Sequence, residues 1–439
     1  MTRDRVSGSA AGASGGAGTR LARGLNTLDA VVVGLGAMLG AGIFTALAPA
    51  AGAAGDGLAI ALVIAGFVAY CNATSSAALA ALYPESGGAY VYGRKRLGDF
   101  AGFLAGWGFV VGKLSSCTAM ALTFGLHVAP SHARALAAAA VIALTAVNYR
   151  GVTKTARATK IIVAIVLACL ALVVAASLGA ETVDWTRAVP SFDAGGYGTL
   201  QAAGFLFFAF AGYARIATLG EEVVDPARTI PRAIPLALGI ALAVYALVAL
   251  TALAAVGAAG LSRTPAPLVA VVEGSRWPGL AGLVRVGAGI ASLGVLLSLL
   301  AGVSRTAFAM AANGDLPGGL AAVHSRFRVP HHAELAAGAI VVCIVLVADV
   351  GDAIGFSAFT VLVYYAIANA SALTLERHER RWPRALAAAG LAGCALLAAS
   401  LPIVTVMRGA VVMVAGALVY AILRVARRFA TKRARRSGR

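Results

Sequence analysis

Long apolar stretches, separated by short polar segments, run through almost the whole of this chain. Many approach the ~20 residues that a helix needs to cross a bilayer, and none has the strict alternation of an outer-membrane strand. Length and hydropathy therefore predict an all-α polytopic membrane protein with about twelve spanning helices. We place the spans approximately at residues 27–53, 58–82, 99–129, 133–148, 158–180, 197–219, 234–259, 281–312, 334–350, 353–375, 385–402 and 406–426.

Composition and charge support this fold class. The 439 residues are 60% hydrophobic and 12% charged, whereas a soluble domain carries roughly 25% charged residues. With the N-terminus inside, 28 of the 36 Lys and Arg residues fall in cytoplasmic segments, six fall outside, and Lys113 and Arg215 remain within spans. This positive-inside bias predicts a cytoplasmic-membrane protein with both termini in the cytoplasm. It also explains the net charge of +18 without nucleic acid as a partner.

Two of the predicted spans are interrupted by glycine. Residues 34–44 of the first span read GLGAMLGAGIF, and residues 204–213 of the sixth read GFLFFAFAGY. Paired interrupted helices at corresponding places in two halves of a membrane chain indicate the binding site of a transporter. The reason is that a broken helix exposes backbone amides and carbonyls to a small polar solute.

The spacing of these two helices predicts an internal repeat. Gly212 follows Gly40 by 172 positions, which corresponds to five helices with their loops. A repeat with an odd number of helices must place its second copy upside down in the membrane. We therefore predict inverted repeats at about 25–180 and 197–375 within a transmembrane domain of residues 25–426, with helices 11 and 12 outside the repeat. A disordered cytoplasmic arm (1–24) and a basic cytoplasmic tail (427–439) flank this domain.

Five motifs, in order, resemble those of the amino acid–polyamine–organocation (APC) superfamily of permeases. They are residues 36–44 (GAMLGAGIF), 83–90 (YPESGGAY), 207–213 (FFAFAGY), 220–232 (GEEVVDPARTIPR) and 305–317 (RTAFAMAANGDLP). The resemblance covers roughly residues 20–425. It implies a leucine-transporter-type fold of five plus five inverted helices, secondary transport of amino acids or related amines by alternating access, and a substrate site between broken helices 1 and 6.

The backbone at the two breaks supplies most of the predicted site. Amides at the start of the second half of helix 1 suit a substrate carboxylate, and carbonyls at the end of the first half of helix 6 suit an ammonium group. A plain packing face of small residues is the alternative. The predicted substrate-binding residues are Leu39, Gly40, Ala41, Gly42, Ile43, Phe207, Phe208, Ala209, Phe210, Ala211, Gly212 and Cys117. Cys117 is included in this set on the resemblance alone. The resemblance also implies that Phe208 is an aromatic gate over the substrate, and the alternative is that its ring packs against lipid.

Ionisable residues bear on the substrate. All eighteen Asp and Glu residues fall in predicted loops or near helix ends. Many members of the superfamily carry an acid directly after the glycine–aromatic pair of helix 6, where this chain has Ala214. A cationic side chain would then lack a buried counter-charge, which is costly. The sequence therefore favours a neutral amino acid over a cationic one or a polyamine.

Lys113 lies within the apolar run of the third span. Intramembrane lysines are rare and usually functional, whereas a lysine near a helix end can reach the interface. Proton-coupled relatives place a lysine in helix 5, where this chain has Val166. We expect Lys113 to be the coupling residue, either as a proton carrier or as a fixed charge in place of sodium. For Arg215 we expect an ion pair with Glu221 or Glu222, and the alternative is that it lines the inner exit path.

The sequence therefore predicts a proton-coupled amino acid permease, with no catalytic residue, no cofactor and no metal site. The five cysteines lie in apolar spans without metal-ligand spacing and are expected to be free thiols. The alternatives are an amino acid exchanger, a polyamine or organocation transporter, and, in a different class, a solute channel or a membrane substrate sensor. The amino acid, the coupling proton and the lipid bilayer are the expected partners. The sequence leaves the oligomeric state open.

Overall fold

The computed structural model describes residues 25–437, apart from residues 86, 152–155, 182, 191–194 and 218–221. For residues 41, 156 and 426–437 it describes the backbone alone. The arm predicted for residues 1–24 therefore lies outside the described residues, as does Glu221.

The described chain is built almost entirely from α-helices. In chain order these are α1 (Thr27–Met38), α2 (Ala41–Thr45), α3 (Leu47–Ala54), α4 (Leu58–Leu82), α5 (Ala89–Leu97), α6 (Asp99–Val128), α7 (Ala133–Tyr149), α8 (Ala156–Leu178), α9 (Gly195–Phe210), α10 (Ala214–Ala217), α11 (Pro226–Ser262), α12 (Pro267–Glu273), α13 (Ala281–Ala312), α14 (His331–Val347), α15 (Val350–Leu373), α16 (Arg384–Ser400) and α17 (Ile403–Ser437). Within the described residues the one β-type contact is an isolated parallel bridge between Leu25 and Val223.

The helices reproduce the predicted order of spans. Ten segments are long and apolar enough to cross a membrane, and α14 and α16 are shorter apolar helices of 17 residues each. The first span comprises α1 to α3, and the sixth comprises α9 and α10. The protein is therefore a multi-pass helical membrane protein.

Two helices extend beyond the spans that hydropathy predicts. Helix α11 begins at Pro226, ahead of the predicted start at 234, and proline is well tolerated in the first helical turn. The last helix continues to Ser437, through most of the segment expected to be a separate tail.

Apolar side chains cover the outside of the helical bundle as well as filling its interior. Val411, Val414 and Leu418 of α17 are all exposed, as are Val63 and Phe67 of α4. In water such a surface would drive association, whereas hydrocarbon tails solvate it. The outside of the bundle therefore fits a lipid environment.

Ion pairs in the described residues lie at the two ends of the bundle. One end, which we call the basic end, carries the pairs Arg94–Asp315, Lys95–Glu85, Arg96–Glu379 and Lys160–Asp29. The opposite end carries Arg134–Asp349, Arg285–Glu273 and Arg408–Asp352. A polar layer on each side of an apolar slab is the distribution that a bilayer imposes.

Candidate functional site

The first span is broken where its glycines predicted a break. Helix α1 ends at Met38, and α2 begins at Ala41. Gly40, between them, has φ −93° and ψ −154°, an extended conformation that any residue can adopt. Close packing is what requires glycine here, because an added Cβ would lie 2.3 Å from Cγ2 of Val295 in α13.

The sixth span is broken at the matching place. Helix α9 ends at Phe210, a single 3₁₀ turn covers Ala211–Tyr213, and α10 follows from Ala214. The predicted interruption around Gly212 is therefore present in the structure.

The two breaks are in direct contact. A Cβ on Gly212 would lie 2.4 Å from the carbonyl carbon of Ala37 and 2.7 Å from the amide nitrogen of Met38. A Cβ on Gly42 would lie 2.9 Å from Cα of Ala209. The structure thus brings Gly42 beside Ala209, and Gly212 beside the residues just before the first break.

The amides at the first break are not all available to a ligand. The N–H of Leu39 donates to the carbonyl of Leu35 over 2.6 Å, and the N–H of Gly40 donates to the carbonyl of Met38 over 2.7 Å. Ala41, Gly42 and Ile43 occupy the first turn of α2, where backbone N–H groups have no acceptor within the helix. The predicted set of five anion-binding amides therefore narrows to these three.

Two buried tyrosines bind carbonyls at the breaks. The hydroxyl of Tyr245 in α11 faces the carbonyls of Met38 and Ala209, the latter at 3.2 Å. The hydroxyl of Tyr365 in α15 donates to the carbonyl of Ala211 over 3.2 Å. We did not predict either residue. The available signal was a tyrosine, with its polar tip, inside an otherwise apolar run.

The four phenylalanine residues of α9 have different surroundings. The Phe207 ring centroid lies 5.8 Å from that of Tyr365, and the Phe210 centroid lies 5.1 Å from that of Tyr245. Phe205 packs close to Gly355 of α15. Phe208 makes no ring contact with the aromatic residues that the structure describes, and at 9% exposure it is the most accessible of the four.

Lys113 is buried in α6 and is 7% exposed. Its Nζ lies 6.0 Å from the ring centroid of Phe109, one turn earlier in the helix. It forms no ion pair with a carboxylate in the described part of the chain. Its burial argues against a side chain that extends to the membrane interface. Cys117, one turn later, is fully buried.

Helix α6 is fixed against α15 by two hydroxyl groups that follow Lys113 closely in sequence. The Oγ atoms of Ser116 and Ser357 are 2.6 Å apart, and Ser115 Oγ donates to the carbonyl of Ala353 over 2.9 Å. On its other side α6 packs against α13, the helix that contacts the first break through Val295. Helix α6, which carries Lys113, therefore packs against α13, and α13 contacts the first break.

Arg215 lies in α10, directly after the second break. It is within electrostatic range of Glu222 and of Arg305 in α13. Glu222 was one of its two expected partners, and the other, Glu221, lies outside the described residues.

Glu334 is a buried acid that sequence reasoning did not single out. Its position in the first turn of α14 agrees with the expected placement near a helix end. Packing nevertheless leaves it only 3% exposed. Ser304 Oγ in α13 donates to Glu334 Oε1 over 2.6 Å, whereas Oε2 has no hydrogen-bond partner among the described residues.

Among the described residues, no group of three or more His, Cys, Asp or Glu side chains is arranged to hold a metal ion. The five cysteines are free thiols in the structure.

Known proteins resemble this chain along almost its full length. Residues 29–427 match the family model described as amino acid permease. An uncharacterised transporter of Mycobacterium tuberculosis is 59% identical over 419 residues, which cover 95% of this chain and 94% of that protein. The branched-chain amino acid permease BcaP of Bacillus subtilis is 25% identical over 433 residues, covering 91% and 92%. The human cationic amino acid transporter 4 is 27% identical over 385 residues, covering 82% and 60%.

Proposed function

This chain belongs to the amino acid permease family, and on that premise we propose that it moves a neutral amino acid across the cytoplasmic membrane by alternating access, coupled to protons. The observation that carries this proposal is the contact between the two interrupted spans, where Gly212 lies against Ala37 and Met38. Unpaired backbone groups at the middle of a membrane protein are tolerated where they line a cavity or bind a ligand.

The backbone chemistry at the breaks fits both charged groups of an amino acid. The substrate carboxylate would accept hydrogen bonds from the amides of Ala41, Gly42 and Ile43. The substrate ammonium would donate to carbonyls between Phe208 and Ala211. Although Tyr245 and Tyr365 already bind two of these carbonyls, a carbonyl oxygen has two lone pairs and can accept a second donor.

A neutral side chain on the substrate is favoured by the residue after the second break. Ala214 offers no carboxylate at the position where a cationic side chain would need one. The names of the relatives point in both directions, since one is a branched-chain amino acid permease and another a cationic amino acid transporter. We therefore base the neutral assignment on Ala214 and on the cost of an unpaired buried charge.

Lys113 is the residue that we assign to coupling. A buried ammonium group without an acidic partner among the described residues is costly, and residues kept at such a cost inside a membrane usually have a function. It would either carry the proton or supply a fixed positive charge in place of a sodium ion. Phe208 would close over the bound substrate as a gate.

Uptake by proteoliposomes tests the proposal. The purified protein is reconstituted, and uptake of a panel of labelled amino acids is measured with and without an inward proton gradient. We expect a neutral amino acid to accumulate above its external concentration only when the gradient is present. Uptake that requires amino acid inside the vesicle would indicate an exchanger, and equilibration without accumulation would indicate a channel. Preferential uptake of arginine, lysine or a polyamine would overturn the neutral assignment.

A further inference from the structure

Glu334 lacks the ion pair that compensates the charge of the other buried acid in the described chain. Asp315 and Glu334 are the two acids there that are buried. Asp315 Oδ2 accepts a hydrogen bond from Tyr90 and forms an ion pair with Arg94 at 2.8 Å. Glu334 has the hydroxyl of Ser304 on one oxygen and no ion pair within the described residues. An ionised carboxylate with one unmatched oxygen is costly in such a place.

Helices α6, α7 and α13 and the 3₁₀ turn Gly318–Ala321 pack against α14, and titratable groups of α6 and α13 lie within electrostatic range of Glu334. Arg305 of α13 is within its electrostatic range. On α6, the thiol of Cys117 is within electrostatic range of both Glu334 and Lys113. Tyr149 of α7 contacts the ring of His331, which precedes Glu334 by one turn on α14. These surroundings contain one positive charge, that of Arg305, which favours the carboxylate, and a low-dielectric interior, which favours the neutral acid.

Helix α13 connects Glu334 to the breaks. Val295 of α13 contacts Gly40 at the first break, and Ser304 of the same helix holds Glu334. These two positions are nine residues apart in the chain, a rise of about 14 Å along a helix. A shift of α13 that accompanies a change at the breaks would therefore also move Ser304 and Arg305 relative to the carboxyl group.

We infer, on the basis of the proposed proton-coupled transport, that Glu334 is a proton-binding site of the transport cycle. Its carboxylate binds one proton at Oε2 and becomes a neutral carboxylic acid. In the opposite state of the cycle the same O–H bond breaks, and the proton leaves towards the basic end. A displacement of Arg305 away from the carboxyl group would favour the neutral form, and its return would favour the carboxylate.

Histidine side chains provide proton acceptors between Glu334 and the basic end. The Nδ1 atom of His331 is buried and has no hydrogen-bond partner in the described part of the chain. The ring centroid of His331 lies 5.3 Å from that of His324 and 4.1 Å from that of His332. A ring nitrogen without a hydrogen-bond partner can accept a proton, so His331 is suited to receive the proton that Glu334 releases.

The test compares Glu334→Gln with the parent protein in proteoliposomes. Glutamine keeps the shape of the side chain and can still accept the hydrogen bond from Ser304. We expect E334Q to retain exchange of labelled for unlabelled substrate, while accumulation driven by the proton gradient falls by about tenfold or more. Glu376→Gln is the matched control, because Glu376 is exposed, with 72% of its side chain accessible, and lies in a loop. It should accumulate substrate as the parent does.

A second measurement separates proton binding from a structural role. Substrate is added to purified protein in weak buffer, and proton uptake or release is followed with a pH-indicating dye. The parent should show a pH change that E334Q lacks and E376Q keeps. Ser304→Ala should shift the pH at which uptake is half-maximal without abolishing accumulation.

Two outcomes would overturn the inference, and they are distinguishable. If the parent accumulates substrate under the gradient and E334Q does so equally well with the same proton signal, Glu334 has no part in coupling and the proposed function stands. If the parent itself does not respond to the gradient, proton-coupled transport is wrong and the role of Glu334 fails with it. If E334Q does not fold, S304A provides the test instead. A pH profile of uptake equal to that of the parent would then refute the inference.

Discussion

At the scale of single residues, Lys113 combines burial with an uncompensated charge. It is 7% exposed, and no described carboxylate forms an ion pair with it. Replacing a buried charge by an apolar side chain of similar size is often neutral or stabilising in proteins. Stability alone would therefore not favour a lysine at this position, and a role in coupling gives a reason for it.

Lys113→Met should abolish the pH dependence of uptake and leave the protein folded. Methionine preserves the length and flexibility of the side chain but removes its charge and its proton. The measurement is initial uptake across a pH series in proteoliposomes, together with the thermal unfolding temperature in detergent. Lys95→Met is the control, since Lys95 is accessible and pairs with Glu85. Unchanged pH dependence in K113M would exclude Lys113 as the proton carrier.

At the scale of elements, glycine permits the two broken spans to touch. None of Gly40, Gly42 and Gly212 has a positive φ, so backbone conformation does not demand glycine there. An added methyl group would instead collide with Val295, Ala209 and Ala37 respectively. The two breaks can therefore approach each other only because glycine has no side chain. At Gly42 and Gly212 the added methyl group would meet backbone atoms, which cannot rotate away as the end of a flexible side chain can.

Gly212→Ala should consequently destabilise the protein and impair transport. Its Cβ would lie 2.4 Å from backbone atoms of Ala37, and such overpacking typically costs about 1–3 kcal/mol. Gly239→Ala is the matched control in α11, because its added Cβ meets no atom within 4 Å. We expect G239A to be neutral or slightly stabilising, since alanine is the better helix former. Thermal unfolding and uptake of both variants check this, and wild-type behaviour of G212A would argue against a tight contact between the breaks.

At the scale of the whole molecule, contacts at the basic end fasten both broken spans. The N–H of Leu25 donates to the carbonyl of Glu222, and the N–H of Val224 donates to the carbonyl of Leu25. Lys160 pairs with Asp29 of α1 at 2.8 Å. The segment before α1 and the segment after α10 are therefore joined directly. Alternating access through this end would require these contacts to break or to move as one unit.

The pair formed by Arg96 and Glu379 should make the stability of this end dependent on pH. The hydrogen bond from Arg96 holds the pKa of Glu379 below its ordinary value. A carboxyl group with a lowered folded-state pKa stabilises the fold above the ordinary glutamate range, and that contribution disappears as the pH falls through the lowered value. Glu379→Gln should therefore unfold at a lower temperature than the parent at neutral pH, and the difference should vanish in acid.

Thermal unfolding of the parent and of E379Q across an acidic pH series is the measurement. Glu376→Gln, in the same loop, controls for the general effect of losing a negative charge. A difference in unfolding temperature between the parent and E379Q that stayed constant down to the most acidic pH would contradict this assignment.

The sequence by itself determined the features that depend on local composition. Spans of apolar residues follow from the length of hydrocarbon that they must cross, and this property is readable along the chain. The breaks at residues 39–40 and 211–213 followed from glycine in two corresponding spans, and the structure confirms both. Which of the residues at the breaks bind the substrate stays a prediction.

The tertiary structure decided which side of each helix faces inward. A membrane helix is apolar towards lipid and towards its neighbours alike, so the pattern of its residues gives little sign of its rotation. The alignment of Tyr245 and Tyr365 with carbonyls at the breaks therefore appeared only in the packed helices. The burial of Glu334 has the same cause, because its place in the first turn of α14 is compatible with a polar surface as well as with the interior, and only packing against α6, α7 and α13 excludes it from water.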